Sequence, residues 1–541
     1  MIPTAPALPA STFATTDTTR PGPSFEHRIR KVLNAAREND ARAELGRLIV
    51  MARADLRRLA RKVRRAKDRG EMKQAEELLW WLPTSFALRL CCADEAAKKL
   101  NGMRTKGGGR RPSITAREVI ELARRLDLLM EPHEPVRVRA IRKRGADAVM
   151  PHSLTEPSLD PDAFRYVCAF EFEDRARQYA MRWLAEVGAT QRQAEGQYGG
   201  VANGFIEMQR RIIEHLDAGH VFANREDIRN CYRHVDATNL HKEIGVSRRV
   251  LTNNALVSRD RAIFAGVKGG ATDRQRLNGP LTLAEARAER IIGEHAMLLA
   301  PEGLPQGSAA SPILAQIALG ALPDLLPTGT QFHQWVDDML TLDRTPEEAA
   351  ATRRSLRSAL KSGLLHGHFE VKRPDSDVVD ARRGLEFCGL YFYQHEGRFY
   401  VRPATSRLHD CEAKIKACAT LGMADPWWLA KAERVLDGFL RNYPFWHVAH
   451  LWRARMMEHI AMTRFVRRLT GQTAPTAQPR PAARDDGEPR RRRLGPMPAE
   501  AARALRVITG LIEPGCKRGA CDDPGERRAP VRLRPRLPLA A

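Results

Sequence analysis

The sequence predicts an α+β protein in which a mixed central segment lies between two helical regions. Residues 126 to about 400 alternate strand-like and helical segments, which is typical of an α/β or α+β domain. Residues 25–125 and 401–470 repeat apolar residues at the three- and four-residue spacing of amphipathic helices. With 541 residues, the chain is long enough for two or three domains with cores of their own.

Composition divides the chain into five regions. Residues 1–24 are rich in Pro, Thr and Ala and are predicted to be disordered. A basic helical region follows at 25–125, then the mixed segment at 126–400 and a second helical region at 401–470. Residues 471–541 form a basic tail rich in Pro and Arg, which we predict to be flexible.

The basic helical region has one clear apolar stripe along a predicted helix. Its members step by three and four residues and are Leu45, Ile49, Ala52, Leu56, Leu59 and Val63. The remaining faces of the same helix are crowded with Arg53, Arg57, Arg61, Arg64 and Arg65. A face of this kind is either solvated or in contact with nucleic acid, and the sequence leaves both interpretations open.

The charge of the chain points to a polyanionic partner. The formal net charge is +24 and the pI is near 10.1, so nucleic acid or an anionic membrane surface would be attracted. No apolar run reaches the about 18 residues that a membrane span needs, and the start lacks a charged segment followed by an apolar one. Nine cysteines without regular spacing fit reduced thiols. We therefore expect a cytoplasmic protein without a membrane partner.

The segment QFHQWVDDMLTL at 331–342 places two adjacent aspartates between apolar runs. Asp337 and Asp338 could form only a polar turn, since Asp side chains readily bond to neighbouring backbone N–H groups. A third carboxylate, Asp227, lies upstream in HVFANREDIRNCYRHVD and is followed five positions later by Tyr232. If these acids converge, their hard oxygens suit Mg²⁺ whose shell is completed by substrate phosphates.

Between the acids lies GLPQGSAASPILAQIALG at 303–320. Residues 304–308 are expected to form a tight turn, after which Ser311 would cap a helix with Pro312 at its first position. Such a turn is either structural or allows close approach of a nucleic-acid strand, with Gln306 free to hydrogen-bond to it.

In this order, the three segments resemble those of the reverse transcriptase family. Asp227 with the following Ile228 and Tyr232 is similar to the first catalytic-aspartate motif. LPQGSAASPILA is similar to the "LPQG…SP" motif, and WVDD stands where the family has an aromatic residue, any residue and then Asp-Asp.

Further segments between about residues 126 and 470 resemble the same family. DRARQ at 174–178 is similar to the fingers segment that holds the triphosphate, and Lys372 stands where the family has a lysine after the catalytic hairpin. LEFCGLYF at 385–392 is similar to the primer-grip hairpin, with Cys388 in place of Leu.

The resemblance implies a right-hand polymerase fold, in which 126–400 form fingers and a palm with an antiparallel sheet and 401–470 form a helical thumb. It implies that Asp227, Asp337 and Asp338 are catalytic and bind metal, with the backbone carbonyl of Ile228 as a further ligand. The implied cofactor is a pair of Mg²⁺ ions, for which Mn²⁺ can substitute. Such ions, roughly 3.5–4 Å apart, activate the attacking hydroxyl and stabilise the leaving group.

The resemblance also assigns substrate contacts. Tyr232 would exclude a 2′-hydroxyl and so select dNTPs, and the implied nucleotide-binding residues are completed by Gln306, Arg175 and Lys372. The implied nucleic-acid contacts are Trp335, Gly307 and Gly389. Trp335 departs from the family, which has Tyr or Phe at this position.

The implied activity is RNA-directed DNA synthesis, with an RNA template, nascent DNA and dNTPs as partners and a homo-oligomer as a further expectation. By elimination, the chain is most like the defence-associated, unknown-group or abortive-infection branch of bacterial reverse transcriptases. Three alternatives stay open: template-independent or retroelement-type DNA synthesis as in retrons and introns, an RNA-binding scaffold without catalysis, and an RNA-dependent RNA polymerase. Retention of the three acids disfavours the scaffold, and Tyr232 disfavours RNA synthesis.

Overall fold

The computed structural model describes ten stretches of the chain: 23–102, 113–143, 164–189, 196–199, 203–268, 280, 283–300, 302–372, 377–421 and 428–458. The chain separates into two compact units. The larger unit takes residues up to Cys411 together with Asp437–Leu451, and the smaller takes Glu412–Leu436 and residues from Trp452 onward. All of the features below that concern the candidate site lie in the larger unit.

The described part of the basic helical region, 23–102 and 113–125, contains five α-helices. They are α1 (Pro23–Asn34), α2 (Glu38–Asp68), α3 (Met72–Trp81), α4 (Phe86–Asn101) and α5 (Ala116–Arg125). The predicted apolar stripe of α2 is confirmed, because five of its six members are buried and Leu59 is partly buried. Helix α5 begins at a capping box, in which Thr115 accepts a bond from the backbone N–H of Glu118 and the Glu118 side chain accepts one in return.

The central segment begins with a small mixed sheet. Its strands are β1 (Val136–Arg142), β2 (Phe164–Ala169) and β4 (Ala262–Val267), in the order β2-β1-β4. Strand β1 pairs antiparallel with β2 and parallel with β4. The helices between β2 and β4 are α6 (Phe172–Gly188), α7 (Gly204–Asp217), α8 (Cys231–His234), α9 (Leu240–Ile244) and α10 (Arg248–Ala255). Helix α4 packs against α6, so the basic helical region shares one core with the central segment.

A four-stranded sheet carries the acidic motifs. Its strands are β3 (Phe222–Asp227), β5 (Gln331–Trp335), β6 (Asp338–Asp343) and β7 (Val379–Asp380), in the order β5-β6-β3-β7. Every pairing in it is antiparallel. Helix α11 (Leu283–Leu299) packs on β4 and β1 of the first sheet, α12 (Ser311–Ala318) packs on α6, and α13 (Pro346–Lys361) packs on β3 and β6.

A third sheet follows, made of β8 (Leu385–Phe387), β9 (Leu390–His395) and β10 (Arg398–Pro403). Both of its connections are two-residue turns with positive φ at each residue: Cys388 and Gly389 at 51° and 75°, Glu396 and Gly397 at 49° and 77°. These values define type I′ turns, whose twist matches that of the strands they join. Two helices follow, α14 (Thr405–Leu421) and α15 (Trp428–Leu440), and the described residues continue to 458.

The architecture is therefore a mixture of helices with small sheets, as the composition pattern predicts. The predicted start of the second helical region at 401 falls inside β10, and the helix begins at Thr405 instead. Residues 23 and 24, assigned to a disordered start, already belong to α1. The predicted flexible tail at 471–541 lies outside the described residues. Among the described helices, none is both long and apolar enough to cross a membrane.

A buried histidine of β5 provides a pH-dependent contribution to stability. The ring of His333 is fully buried, contacts His215 Nδ1 through Nε2 at 3.1 Å and contacts the Tyr198 hydroxyl through Nδ1 at 3.1 Å. Burial, followed by the charges of His215 and Arg211, lowers the pKa of His333 well below its ordinary 6.5. The unfolded chain therefore binds a proton near pH 6 that the folded chain does not.

We expect this difference to destabilise the fold as the pH falls below about 6.5, by up to about 1.4 kcal/mol per pH unit. The variant His333→Gln, which cannot titrate, should lose less thermal stability than the parent between pH 7 and pH 5. The measurement is the difference in Tm between the two proteins at each pH. Parallel Tm curves would show that the histidine does not contribute in this range.

Candidate active site

The register of the four-stranded sheet brings the three aspartates to one edge. Asp227, the last residue of β3, lies directly opposite Asp338, the first residue of β6. Asp338 also pairs with Trp335 at the end of β5, which leaves Asp337 in the two-residue turn between the strands. The 110 residues that separate Asp227 from Asp337 are thus bridged by one antiparallel pairing.

The turn that presents Asp337 has an unusual backbone. Val336 adopts φ 60°, a left-handed conformation that is strained for a β-branched side chain. Two glutamines hold it there, since the Gln197 side chain donates to Gln334 Oε1 at 2.8 Å and Gln334 Nε2 donates to the Val336 carbonyl at 2.7 Å. The Ile228 N–H donates to the Asp337 carbonyl at 3.1 Å. The position of Asp337 is therefore fixed from both sides.

The acids open onto a cleft of about 1330 Å³. The residues of the prediction that line it are Asp227, Tyr232, Trp335, Asp337, Asp338, Lys372 and Gly389. Trp335 packs edge-on to Phe205 with ring centroids 5.4 Å apart, and Phe205 contacts Tyr443 in the same way at 6.1 Å. An aromatic cluster therefore supports the floor of the cleft beside the acids.

The electrostatics of the cleft are those of an acidic cluster whose charge is only partly compensated. Burial, then the charge of Asp338, raises the pKa of Asp337 to about 6. The pKa of Asp338 is also raised, by burial and by the charge of Asp227. A cation placed between these carboxylates would relieve both effects.

Two protein groups already contact the acids. Lys372 Nζ lies 3.1 Å from Asp227 Oδ2, while the Lys372 N–H donates to the Asp227 carbonyl at 2.8 Å. The Cys388 thiol contacts Asp338 Oδ2 at 3.6 Å. In the part of the chain that the structure describes, no three His, Cys, Asp or Glu side chains are arranged to hold a metal ion. A Mg²⁺ site needs fewer, because one or two carboxylates plus substrate phosphates and water complete its shell.

Tyr232 projects into the cleft from a fixed backbone. The Leu304 N–H donates to the Tyr232 carbonyl at 2.7 Å. A side chain at Gly303, whose φ is 62°, would come within 2.3 Å of the same carbonyl. Burial, then the charge of Asp337, raises the pKa of the Tyr232 phenol, so the hydroxyl stays neutral. Residues 303–304 therefore hold this ring beside the acids.

Gln306 and Gly307 contact strand β2 and not the large cleft. The Cys168 N–H donates to the Gln306 carbonyl at 2.8 Å, and Gln306 lines a separate small cavity of about 40 Å³. Ser311, predicted to be a helix cap, instead lies inside α12, where its hydroxyl donates to the Pro305 carbonyl at 2.7 Å. The turn is thereby pinned between β2 and α12.

We expect Gly307→Ala to destabilise this junction. Gly307 has φ 97°, and an added Cβ would lie 2.5 Å from the Cys168 carbonyl oxygen, so backbone strain and a backbone collision add together. Gly329 is the matched control, because it has φ 95° but no atom within 4 Å of its added Cβ. Gly329→Ala should lose about 1–2 kcal/mol and Gly307→Ala roughly 2 kcal/mol more, measured by thermal unfolding. Equal losses would contradict the packing described here.

Arg175 is placed away from the cleft. It is buried on α6 with only 8% exposure, and its neighbour Asp174 forms a buried ion pair with Arg261 at 2.6 Å. Gly389 does border the cleft, with φ 75°, and an added Cβ would lie 2.6 Å from Arg407 Nε. The fingers motif thus falls on a structural ion pair in this chain.

The sequence reasoning missed two arginines that line the cleft and a third that acts electrostatically on residues of the cleft. Arg225 and Arg407 line the cleft directly. Arg165, exposed on β2, opposes the rise in the pKa of Asp337 through its positive charge and acts in the same way on Tyr232. Strand alternation could have found Arg165, because the exposed positions of β2 alternate with the buried residues Phe164 and Cys168.

Comparisons with known proteins do not assign a function to this chain. No protein-family model matches the chain, and no curated protein sequence matches it. Among solved structures, 57 chains match. One is the telomerase of Candida albicans in complex with the TWJ fragment of telomeric RNA, with a TM-score of 0.30 and 13% identity over 64% of this chain and 59% of that one. The match thus spans less than two thirds of the telomerase chain, and a similarity this low assigns neither fold nor function.

Proposed function

We propose that the protein is a nucleic-acid polymerase, specifically an RNA-directed DNA polymerase. One observation carries the proposal: Asp227, Asp337 and Asp338 come from distant segments and meet at one edge of a large cleft. A turn that served folding alone would have no need for a third, convergent acid with repulsive neighbours. RNA-directed DNA synthesis is proposed as the reaction because the order of the motifs resembles that of reverse transcriptases. The proposed partners are an RNA template, nascent DNA and dNTPs.

Asp227 and Asp337 would hold Mg²⁺, with the carbonyl of Ile228 close at hand, and Asp338 would lie nearer the primer end. Two bound ions would activate the primer hydroxyl and stabilise the pyrophosphate leaving group. The Asp337 and Asp338 carboxylates fit this task because burial has raised their pKa values and a cation would lower them again. Asp227 would exchange its Lys372 partner for the ion, which frees the ammonium group for the leaving phosphate.

Side chains of the cleft and of the adjacent strand β2 would contact the substrate. Tyr232 would lie against the incoming sugar and exclude a 2′-hydroxyl. Arg165 would take the phosphate-binding role predicted for Arg175, because it is exposed and its charge acts on Asp337. Trp335 and Gly389 would contact the primer strand from the floor and rim. A role in antiviral defence and a cytoplasmic location stay predictions from the resemblance.

The test is nucleotide incorporation by the purified full chain on a primed RNA template with Mg²⁺. Parallel reactions contain dNTPs or rNTPs, with and without template. Templated dNTP incorporation supports the proposal, whereas incorporation that ignores the template sequence would replace it with template-independent synthesis. RNA binding without incorporation, under every primer condition, would favour the scaffold.

Arg165→Ala should raise the KM for dNTPs by about ten- to a hundredfold, because a charged hydrogen bond to phosphate contributes about 1.5–3 kcal/mol. Arg142→Ala is the control. Arg142 carries the same charge but pairs with Phe164, so it lies on the opposite face of the pleated sheet. Steady-state kinetics with varied dNTP concentration give both values. Equal KM values for the two variants would remove Arg165 from the nucleotide site.

A further inference from the structure

We propose that the hairpin of α2 and α3 is a second nucleic-acid site, which binds a single-stranded polynucleotide outside the cleft. This hairpin has two surface features that play no part in the proposed nucleotide transfer. They are a set of arginines on α2 and two exposed tryptophans on α3. The inference concerns binding alone and does not depend on the proposed polymerase activity.

The arginine stripe is defined as Arg57, Arg61, Arg64 and Arg65. The spacing of four, three and one places these residues on one side of α2, and all four are exposed. Among the described residues, none of the four has a carboxylate at ion-pair distance. The stripe is therefore a local excess of positive charge.

Several other arginines of the hairpin are paired with acids, whereas the exposed Lys62 and Lys73 add to its positive charge. Arg58 pairs with Asp55 at 2.6 Å, and Arg69 pairs with Glu71 at 2.8 Å. Glu76 of α3 acts electrostatically on the half-buried Lys67. The stripe differs from these paired arginines because its positive charge is not offset by a carboxylate of the described residues. It is therefore available to bind an external anion.

Trp80 and Trp81 end α3 and are each 56% exposed. The opposite side of α3 buries Ala75 and Leu79 in the core shared with α2. A three-residue turn joins the helices, so α3 runs back along α2. The nine steps from Met72 to Trp81 cover about 14 Å along the axis. The tryptophans therefore lie near the level of the first arginines of the stripe.

This combination selects unpaired bases. Aromatic side chains stack on exposed base faces while basic groups follow the phosphates, and a duplex hides its base faces within its own stack. From Arg57 to Arg65 the stripe spans about 12 Å, roughly three phosphate spacings along a stacked strand. A protein partner would also cover the tryptophans but would not require uncompensated arginines.

The test measures binding of the full chain to labelled oligouridine, oligodeoxythymidine and a blunt RNA duplex over a series of salt concentrations. One variant is Trp80→Ala/Trp81→Ala, and another is Arg57→Gln/Arg61→Gln/Arg64→Gln. The matched control, Arg47→Gln/Arg58→Gln/Arg69→Gln, removes the same charge from arginines that already have carboxylate partners.

The tryptophan variant should bind both single strands about tenfold more weakly or worse. The stripe variant should reduce the slope of log K against log salt by about two, and the control should keep the parental slope. The ratio of the two single strands identifies RNA or DNA as the preferred ligand. Photo-crosslinking of a uridine analogue to the unmodified protein should label peptides within residues 57–81, independently of whether the variants fold.

The proposal is overturned if the stripe and control variants lose affinity equally, since general charge then explains binding. It is also overturned if crosslinks map only to the cleft. A third contrary result is a tryptophan variant that binds normally but changes its sedimentation, which would make the hairpin a protein contact surface.

Discussion

Replacing Asp337 with Asn abolishes nucleotide incorporation and makes the metal-free protein more stable. The amide keeps the size of the side chain but removes one metal ligand, so activity should fall by at least about a hundredfold. At pH 7 the native carboxylate is ionised against its raised pKa of about 6. Because an acid with a raised folded pKa destabilises the fold above that pKa, its removal should restore up to about 3 kcal/mol. Incorporation assays and thermal unfolding measure the two effects.

Asp343→Asn is the matched control on the same strand. Asp343 accepts hydrogen bonds from Thr330 at 2.9 Å and Thr352 at 3.1 Å and is buried at the far end of β6. Its replacement should leave incorporation intact at a temperature where the protein is folded, because Asp343 lies at the opposite end of β6 from the cleft. If Asp337→Asn lowered the Tm and kept its activity, Asp337 would be a structural residue of the turn and not a metal ligand.

Tyr232→Ala produces the second large effect, a loss of sugar selection. Without the ring, the space beside the acids admits a 2′-hydroxyl, and the preference for dNTPs over rNTPs should fall by about tenfold to a hundredfold. The ratio of kcat/KM for dNTP and rNTP is the measured quantity. The backbone contacts to residues 303–304 do not involve the ring, so the fold should be retained.

Tyr232→Phe separates the ring from its hydroxyl. The phenyl group still fills the same space, so this variant should keep the preference for dNTPs. If Phe relaxed selection as much as Ala, hydrogen bonding and not exclusion would be the mechanism. An unchanged preference in Tyr232→Ala would remove this residue from the sugar site.

The sequence was sufficient to predict features that depend on local patterns. The α2 stripe follows from three- and four-residue spacing, and the adjacent acids predicted a turn between strands because apolar runs flank them. The meeting of Asp227 with Asp338 depends on strand register across more than a hundred residues. Spacing alone could not fix it, and motif order supplied the expectation.

The arginines show where local patterns fail. Arg175 stands in a motif that resembles a phosphate-binding segment, yet its helix turns it into the core. Arg165 has no motif; strand alternation places it on the face opposite Phe164 and Cys168, and the burial of those two residues makes its own face the exposed one. Whether a cation is buried depends on which side of an element packs, and that is decided by residues distant in the chain. The position of Gln306 also depends on distant residues, because the turn that contains it packs against β2.

The hydrogen bonds of the turn at 303–308 have a mechanical consequence. One bond ties Gln306 to β2, the strand that carries Arg165, and another ties Leu304 to the backbone of Tyr232. The turn therefore fixes the distance between Arg165, which is proposed to bind the phosphates, and the Tyr232 ring, which is proposed to contact the sugar. The distance between the sugar site and the phosphate site would then be fixed. A nucleotide whose sugar is too large for the site beside Tyr232 would also be moved away from Arg165.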